Sequence, residues 1–254
     1  MAIDKKIIVI SGANSGIGYD AAYMLANASP NNHVVMTARS AAKGIKAFEE
    51  LQARKPQGTL SFLELDINSD ASVATFVEKL TAEFGVLDVL VNNAGIIVEH
   101  EPGFTVTREL LYSIFNTNVF GHLLLTQALE PLLKKSKDAR IINVSSGMGS
   151  MTFRFDHSHW TSAMGGELYR MTKAALNIMT GNQNYNYRGW AKAWAYCPGY
   201  VVTNLTGEED RQNRVNNGAE SSETAAEGIL DIVDGKRDDE WNKFVTKRGG
   251  TYPW

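Results

Sequence analysis

The sequence predicts an α/β fold, a doubly wound parallel sheet of about seven strands with helices on both faces, and three observations predict it. Short β-branched runs alternate with longer amphipathic ones along the chain. A glycine-patterned turn at 11–18 joins the first apolar run to the first helical one. No Pro/Gly linker, repeat or low-complexity stretch interrupts the series, so residues 1–254 are read as one domain.

In chain order, strands are expected at 7–10, 33–37, 60–65, 89–91, 140–144 and 193–197, with a seventh near 241–245. The first, Ile7-Ile8-Val9-Ile10, is apolar at every position, as a strand covered on both faces must be. Helices are expected between the strands at 17–28, 41–54, 69–84, 107–135, 166–187 and 222–234. Right-handed crossovers in such a series place ligands beyond the carboxyl ends of the strands. Two stretches break the alternation: 147–165, rich in Met and aromatic residues, and 203–221, polar and charged. Both follow strand ends on the ligand side and are expected to supply the walls and lid of a pocket.

Composition narrows the partners. The formal net charge is −3, and its 25 basic and 28 acidic residues are scattered, which leaves no basic stripe for nucleic acid and no polybasic membrane anchor. No apolar run reaches the length of a membrane span, and the opening residues lack a signal-peptide pattern. Cys197 is the single cysteine, so no internal disulfide forms and a cytoplasmic location is expected. The expected partner is a small-molecule substrate.

The turn Ser11-Gly12-Ala13-Asn14-Ser15-Gly16-Ile17-Gly18 follows a strand and opens a helix. That order brings backbone amides and the positive end of a helix to a place where a pyrophosphate can sit. Gly12 serves the turn, Gly16 the close approach of backbone, and Gly18 the packing of helix on strand. Position 39, 21 residues after Gly18, is where a dinucleotide fold often carries an acid for the ribose 2′-hydroxyl. Here it is Arg39, whose guanidinium suits a 2′-phosphate, so NADP(H) is expected in preference to NAD(H). Tyr169 and Lys173 stand four residues apart in an expected helix and share one face. An ammonium near a phenol favours phenolate and makes the tyrosine usable as an acid/base near neutral pH.

With these features the chain resembles the short-chain dehydrogenase/reductase family over nearly its whole length. The resemblance also rests on Asp66 in Leu65-Asp66-Ile67, Asn92-Asn93-Ala94-Gly95, Asn118, the pair Ser145-Ser146, and Pro198-Gly199 followed by Thr203. Among branches it is most similar to the NADPH-dependent carbonyl reductases, through Thr37-Ala38-Arg39 and the segment from Lys243 to Trp254. The resemblance implies a cofactor site made by Ser11, Gly12, Asn14, Ser15, Gly16, Ile17 and Gly18, with Arg39, then Asp66 and Ile67 at the adenine. Asn92, Ala94 and Gly95 would support cofactor and sheet, and Pro198, Gly199, Val201 and Thr203 would flank the carboxamide. Tyr169 would donate the proton, Lys173 would hold the ribose and lower the tyrosine pKa, and Asn118 would order a water beside Lys173. Ser146 would hydrogen-bond the substrate carbonyl, with Ser145 as the alternative. A Ser/Tyr/Lys site of this kind needs no metal, because the cofactor carries the hydride.

Ser146 and Tyr169 are 23 positions apart, more than is usual in the family, and the excess is the aromatic-rich stretch. Substrate recognition is expected there, with Phe155, Asp156 and Trp160 as contacts; Phe153, Met148, Met151 and Met164 either line an apolar pocket or pack the loop. Asp156, His157 and His159 have neither the spacing nor the chemical need of a metal site, and an added acid/base role for Asp156 or one of the histidines stays open. The same insertion obstructs the helix pairing by which relatives tetramerise, so a monomer or homodimer is expected beside the tetramer.

The leading reading is NADPH-dependent reduction of a ketone or aldehyde on a moderately large, partly apolar molecule. Two others compete: imine reduction or cyclisation control in specialised metabolism, and an NADP-binding sensor without turnover.

Overall fold

In the computed structural model, which describes residues 5–98 and 105–254, the apolar runs form strands β1 (Lys6–Ile10), β2 (Asn32–Ala38), β3 (Thr59–Glu64) and β4 (Val89–Asn92). The series continues with β5 (Ala139–Val144), β6 (Ala191–Cys197), β7 (Phe244–Thr246) and β8 (Thr251–Tyr252). Residues 1–4, part of the stretch read above for a signal peptide, lie outside the described residues. One sheet holds all eight strands in the order β3-β2-β1-β4-β5-β6-β7-β8. Every pairing is parallel except β7 with β8.

The first strand shows why its residues are all apolar. Ile8 and Ile10 join one core with Leu25, Leu51 and Ile229, whereas Ile7 and Val9 join the other with Phe76, Leu80 and Leu125. Successive side chains point to opposite faces, and helices cover both. On the first face lie α1 (Gly16–Ala28), α2 (Ala41–Ala53) and, late in the chain, α9 (Ser222–Val233). On the second lie α3 (Asp70–Glu83) and α5 (Gly121–Leu133), the latter preceded by α4 (Arg108–Phe115), with α7 (Glu167–Asn186) packed on β5 and β6. Two short helices, α6 (Met151–Phe155) and α8 (Arg211–Asn216), lie within the stretches that broke the alternation. Because β1 is flanked by β2 on one side and β4 on the other, the winding reverses there and opens a crevice above the carboxyl ends.

The doubly wound parallel architecture is the expected one, with three differences. The sheet has an eighth, antiparallel strand of two residues, too short to carry an alternation signal. The last parallel strand starts at Phe244 rather than near 241. The expected continuous helix over 107–135 is interrupted by a π-helical turn at Asn116–Phe120, between α4 and α5.

Candidate active site

The crevice is a cleft of about 1090 Å³ that runs from the glycine turn to α7. Gly12 has a positive φ of 66°, and a Cβ there would lie 2.9 Å from the Ala94 Cα, so the turn can press against the loop after β4 only as glycine. Ser11 laces the two together: its hydroxyl donates to Val91 O and accepts from the backbone amides of Asn93 and Ala94. Asn93 returns the contact, its amide nitrogen donating to the carbonyls of Ser11 and Gly12. No side chain caps the N-terminus of α1, whose first amides therefore stay available for an anion.

Gly12, Asn14, Ser15, Gly16, Ile17, Arg39, Asp66, Ile67, Ala94, Gly95, Pro198, Gly199, Val201 and Thr203 all line this cleft. Ser11, Gly18 and Asn92 do not, which corrects their expected cofactor contact. Ser11 is buried beneath the turn. Gly18 approaches the loop rather than a strand, since a Cβ there would lie 2.5 Å from Gly12 O and Asn93 Nδ2. Asn92 is buried inside the sheet, donating to Thr126 and Asn143, and its neighbour Asn93 faces the cleft instead. The parity of a strand end decides this, and neither residue type reveals it.

At one end of the cleft Arg39 and Lys43 are both exposed and make no ion pair among the described residues. Lys43 escaped the sequence reading, although it lies one turn into a helix capped by Ser40, directly after Arg39. Two unengaged cations beside a glycine cradle and an uncapped helix fit a phosphorylated dinucleotide.

At the other end stand Ser146, Tyr169 and Lys173. The serine pair is resolved by orientation. Ser145 is buried and donates to Asn177 Oδ1 (2.6 Å), tying β5 to α7, whereas Ser146 is half-buried on the cleft wall that it shares with Tyr169. Lys173 donates to Val144 O at 2.7 Å, and its Nζ sits 5.4 Å from the centre of the Tyr169 ring. Burial lowers the Lys173 pKa to about 8 and raises that of Tyr169 above the ordinary phenol value. The influences that draw Tyr169 down are the neighbouring Ser146 hydroxyl and the Arg214 charge. Burial of the phenol outweighs both, and the Lys173 ammonium is bonded to the Val144 carbonyl.

Asn118 lies in the π-helical turn, beside the cleft but not in its wall. Its Oδ1 accepts from Ile96 N, and its Nδ2 donates to Ile96 O and Thr172 Oγ1, so the side chain braces the loop after β4 against α7. Behind that loop His122 is fully buried, with Nε2 against Ala94 O at 2.7 Å. Burial, joined by the Lys173 charge, lowers its pKa to about 3. The ring is thus neutral and carries its proton on Nε2, which agrees with an Nδ1 that finds no donor. Histidine at this position gave no pattern in the sequence.

The insertion does not line the cleft with the residues expected. Phe155 and Trp160 are 76% and 67% exposed, and Asp156 folds back to accept from Ser158. Their aromatic neighbour Phe153 stacks on His159 at 3.9 Å and packs edge-on to Tyr252, so the segment is fastened to the β7–β8 hairpin. Met148 and Met164 do line the cleft, with Gly165 and Gly166. From the other flank come Leu205, Thr206 and Arg214.

A crevice at the winding reversal, a glycine cradle and a Ser/Tyr/Lys group on one wall define a dinucleotide-dependent oxidoreductase. The chain belongs to the short-chain dehydrogenase/reductase family: the family model described as short chain dehydrogenase matches residues 6–214. It is 31% identical to a short-chain dehydrogenase of Penicillium roqueforti over 249 residues, covering 96% of this chain and 98% of the relative. It is 30% identical to a short-chain dehydrogenase/reductase of Talaromyces stipitatus, covering 99% and 98%. Among solved structures it is similar to an NADPH-bound carbonyl reductase from chicken fatty liver, with a TM-score of 0.82 and 26% identity over 98% of this chain and 100% of that one. The protein is thus an oxidoreductase of this family with an NAD(P) site. No helix among the described residues is long and apolar enough to cross a membrane.

Proposed function

We propose that the protein reduces a ketone or aldehyde on a moderately large, partly apolar molecule, with NADPH as the reductant. The observation that carries this reading is that Ser146, Tyr169 and Lys173 line the same cleft as the glycine turn. When bound, the nicotinamide supplies the hydride. The Ser146 and Tyr169 hydroxyls donate to the substrate carbonyl oxygen and offset the negative charge that grows there. Burial keeps Tyr169 protonated and able to deliver its phenolic proton to that oxygen. Lys173, held by Val144 O, keeps a positive charge near the phenolate left behind. Thr203 and Gly95 shape the floor, Asn118 fixes the loop that carries Gly95, and Arg39 with Lys43 selects the 2′-phosphate.

For assembly the reading is a monomer or homodimer with the tetramer open: Leu123 and Leu124 on α5 and Ile178 and Tyr185 on α7 are exposed apolar side chains that a second copy could cover, and analytical ultracentrifugation reads the state directly. A cytosolic setting suits the single, buried Cys197.

The test is NADPH consumption with a panel of aromatic ketones, aldehydes and quinones, comparing wild type with Tyr169→Phe. Loss of turnover by about a thousandfold is expected, with NADPH binding retained. Turnover that survives the substitution removes Tyr169 as the proton donor.

A further inference from the structure

Arg214, on α8, is the one charged side chain of the 203–221 segment that lines the cleft. Three contacts fix its guanidinium. Nε and Nη2 both donate to Val201 O (3.2 and 2.8 Å), Nη1 donates to Thr206 Oγ1 (3.1 Å), and the group lies 4.9 Å over the Tyr200 ring. All of these partners are neutral, and no carboxylate lies within ion-pair distance among the described residues. A guanidinium carries five N–H groups, so one hydrogen on each terminal nitrogen is uncommitted and available to a carboxylate.

Its setting says which molecule this guanidinium faces. The other cations of the cleft are Arg39 and Lys43, beside the glycine turn, and Lys173, already bonded to Val144. Arg214 belongs to the Tyr169 end, where its charge reaches the phenol. The wall there also holds the apolar Ile96, Ile97, Met148, Leu168 and Leu205. Of the two acidic residues lining the cleft, Asp66 follows β3, which pairs with the strand leading to Arg39, and Glu167 is exposed on the rim. A partly desolvated cation with only neutral partners, set among apolar side chains across from a proton donor, is incomplete until an anion joins it.

We propose that the substrate carries a carboxylate remote from its reacting carbonyl and that Arg214 receives that carboxylate. The inference rests on the reductase reading of the same cleft and adds a substrate class to it: an apolar, ring-bearing oxo acid. Arg214 orients the substrate, while Ser146 and Tyr169 address the carbonyl.

The test uses the full chain saturated with NADP⁺, so that binding is read without turnover. The probes are 4-formylbenzoate and 6-formyl-2-naphthoate, each against its methyl ester, with dissociation constants from calorimetry. Wild type is expected to bind at least one acid about tenfold tighter than its ester. Arg214→Met is expected to abolish that preference, and Arg214→Lys, which keeps the charge, to restore part of it. A purely structural Arg214 would instead weaken acid and ester alike, and that outcome overturns the proposal. So does equal binding of acid and ester by wild type, or binding of neither. If the acid preference stands but none of these aldehydes consumes NADPH, the carboxylate subsite holds and the reductase reading falls.

Discussion

Lys173 donates its ammonium to the carbonyl oxygen of Val144, the last residue of β5, at 2.7 Å. The helix that carries the proton donor is thereby bolted to the strand that leads into Ser146, and three groups from two elements keep one geometry. The same burial that makes the bond brings the lysine pKa down to about 8. As a base with a lowered pKa, Lys173 is charged below about pH 8 and neutral above it. The expected kcat/KM for NADPH, which reports the free enzyme, is therefore level below about pH 8 and falls above it. Lys173→Arg should move that descent to higher pH, because a guanidinium stays charged, and Lys173→Met should lose activity throughout. A wild-type profile that shows no break in this region contradicts the assignment.

The two adjacent serines should separate cleanly. Ser146→Ala is expected to lower kcat about a hundredfold, because it removes one donor to the carbonyl oxygen, and to lower the melting temperature less than Ser145→Ala, because the bond it loses, from Met148 N, is only part-buried. Ser145→Ala leaves the Asn177 carbonyl without its buried donor. It should cost about 1–2 kcal/mol of stability and leave kcat close to wild type. Thermal melts and steady-state kinetics on both variants check the pair, and exchanged phenotypes would exchange the roles.

Cofactor choice should depend on two cations rather than one. Lys43→Ala is expected to weaken NADPH about tenfold and Arg39→Asp with Lys43→Ala by a hundredfold or more, at roughly unchanged NADH affinity. Fluorescence titration with both dinucleotides measures this. Equal losses for the two would show that neither residue reads the 2′-phosphate.

The inserted segment yields a contrast between its two ends. Phe155→Ala and Trp160→Ala should change kcat/KM less than about twofold, because both side chains project into solvent. Met148→Ala and Met164→Ala, in the cleft wall, should raise KM for apolar substrates severalfold at similar kcat. A larger loss at Trp160 than at Met164 would mean that the segment closes over the substrate during turnover.

The fold was legible because its elements are long relative to their periods. Four apolar residues in β1 cannot be half exposed, and thirteen residues of α1 following a glycine turn leave few alternatives. What escaped was short or depended on orientation. Thr251-Tyr252 is a strand only because Phe244 and Val245 are there to pair with it. The α8 turn is held by Arg214 on Val201, a contact between residues thirteen apart in a polar stretch. At the site, residue types and spacing led to Ser146, Tyr169 and Lys173, but not to which of Asn92 and Asn93 faces the cleft. One residue of strand register reverses that choice, and no side chain announces it. The aromatic insertion divides for a related reason: Phe153, left open between pocket and packing, packs on the hairpin, whereas Phe155 and Trp160, expected at the substrate, are exposed.

The π-helical turn at Asn116–Phe120 holds one residue more than a regular helix needs to cover the same rise. Removing a residue there would give a smoother rod with a complete hydrogen-bond ladder. It would also rotate everything on one side of the join by ~100° relative to the other. Asn118 would swing off Ile96, or Gly121 would leave Ile67, with which it now packs too closely to admit a Cβ. The defect acts as a gear tooth, keeping α4 and α5 in phase with different parts of the molecule. A repaired helix would be more regular in isolation, and its two halves would no longer mesh with the loop and the floor they serve.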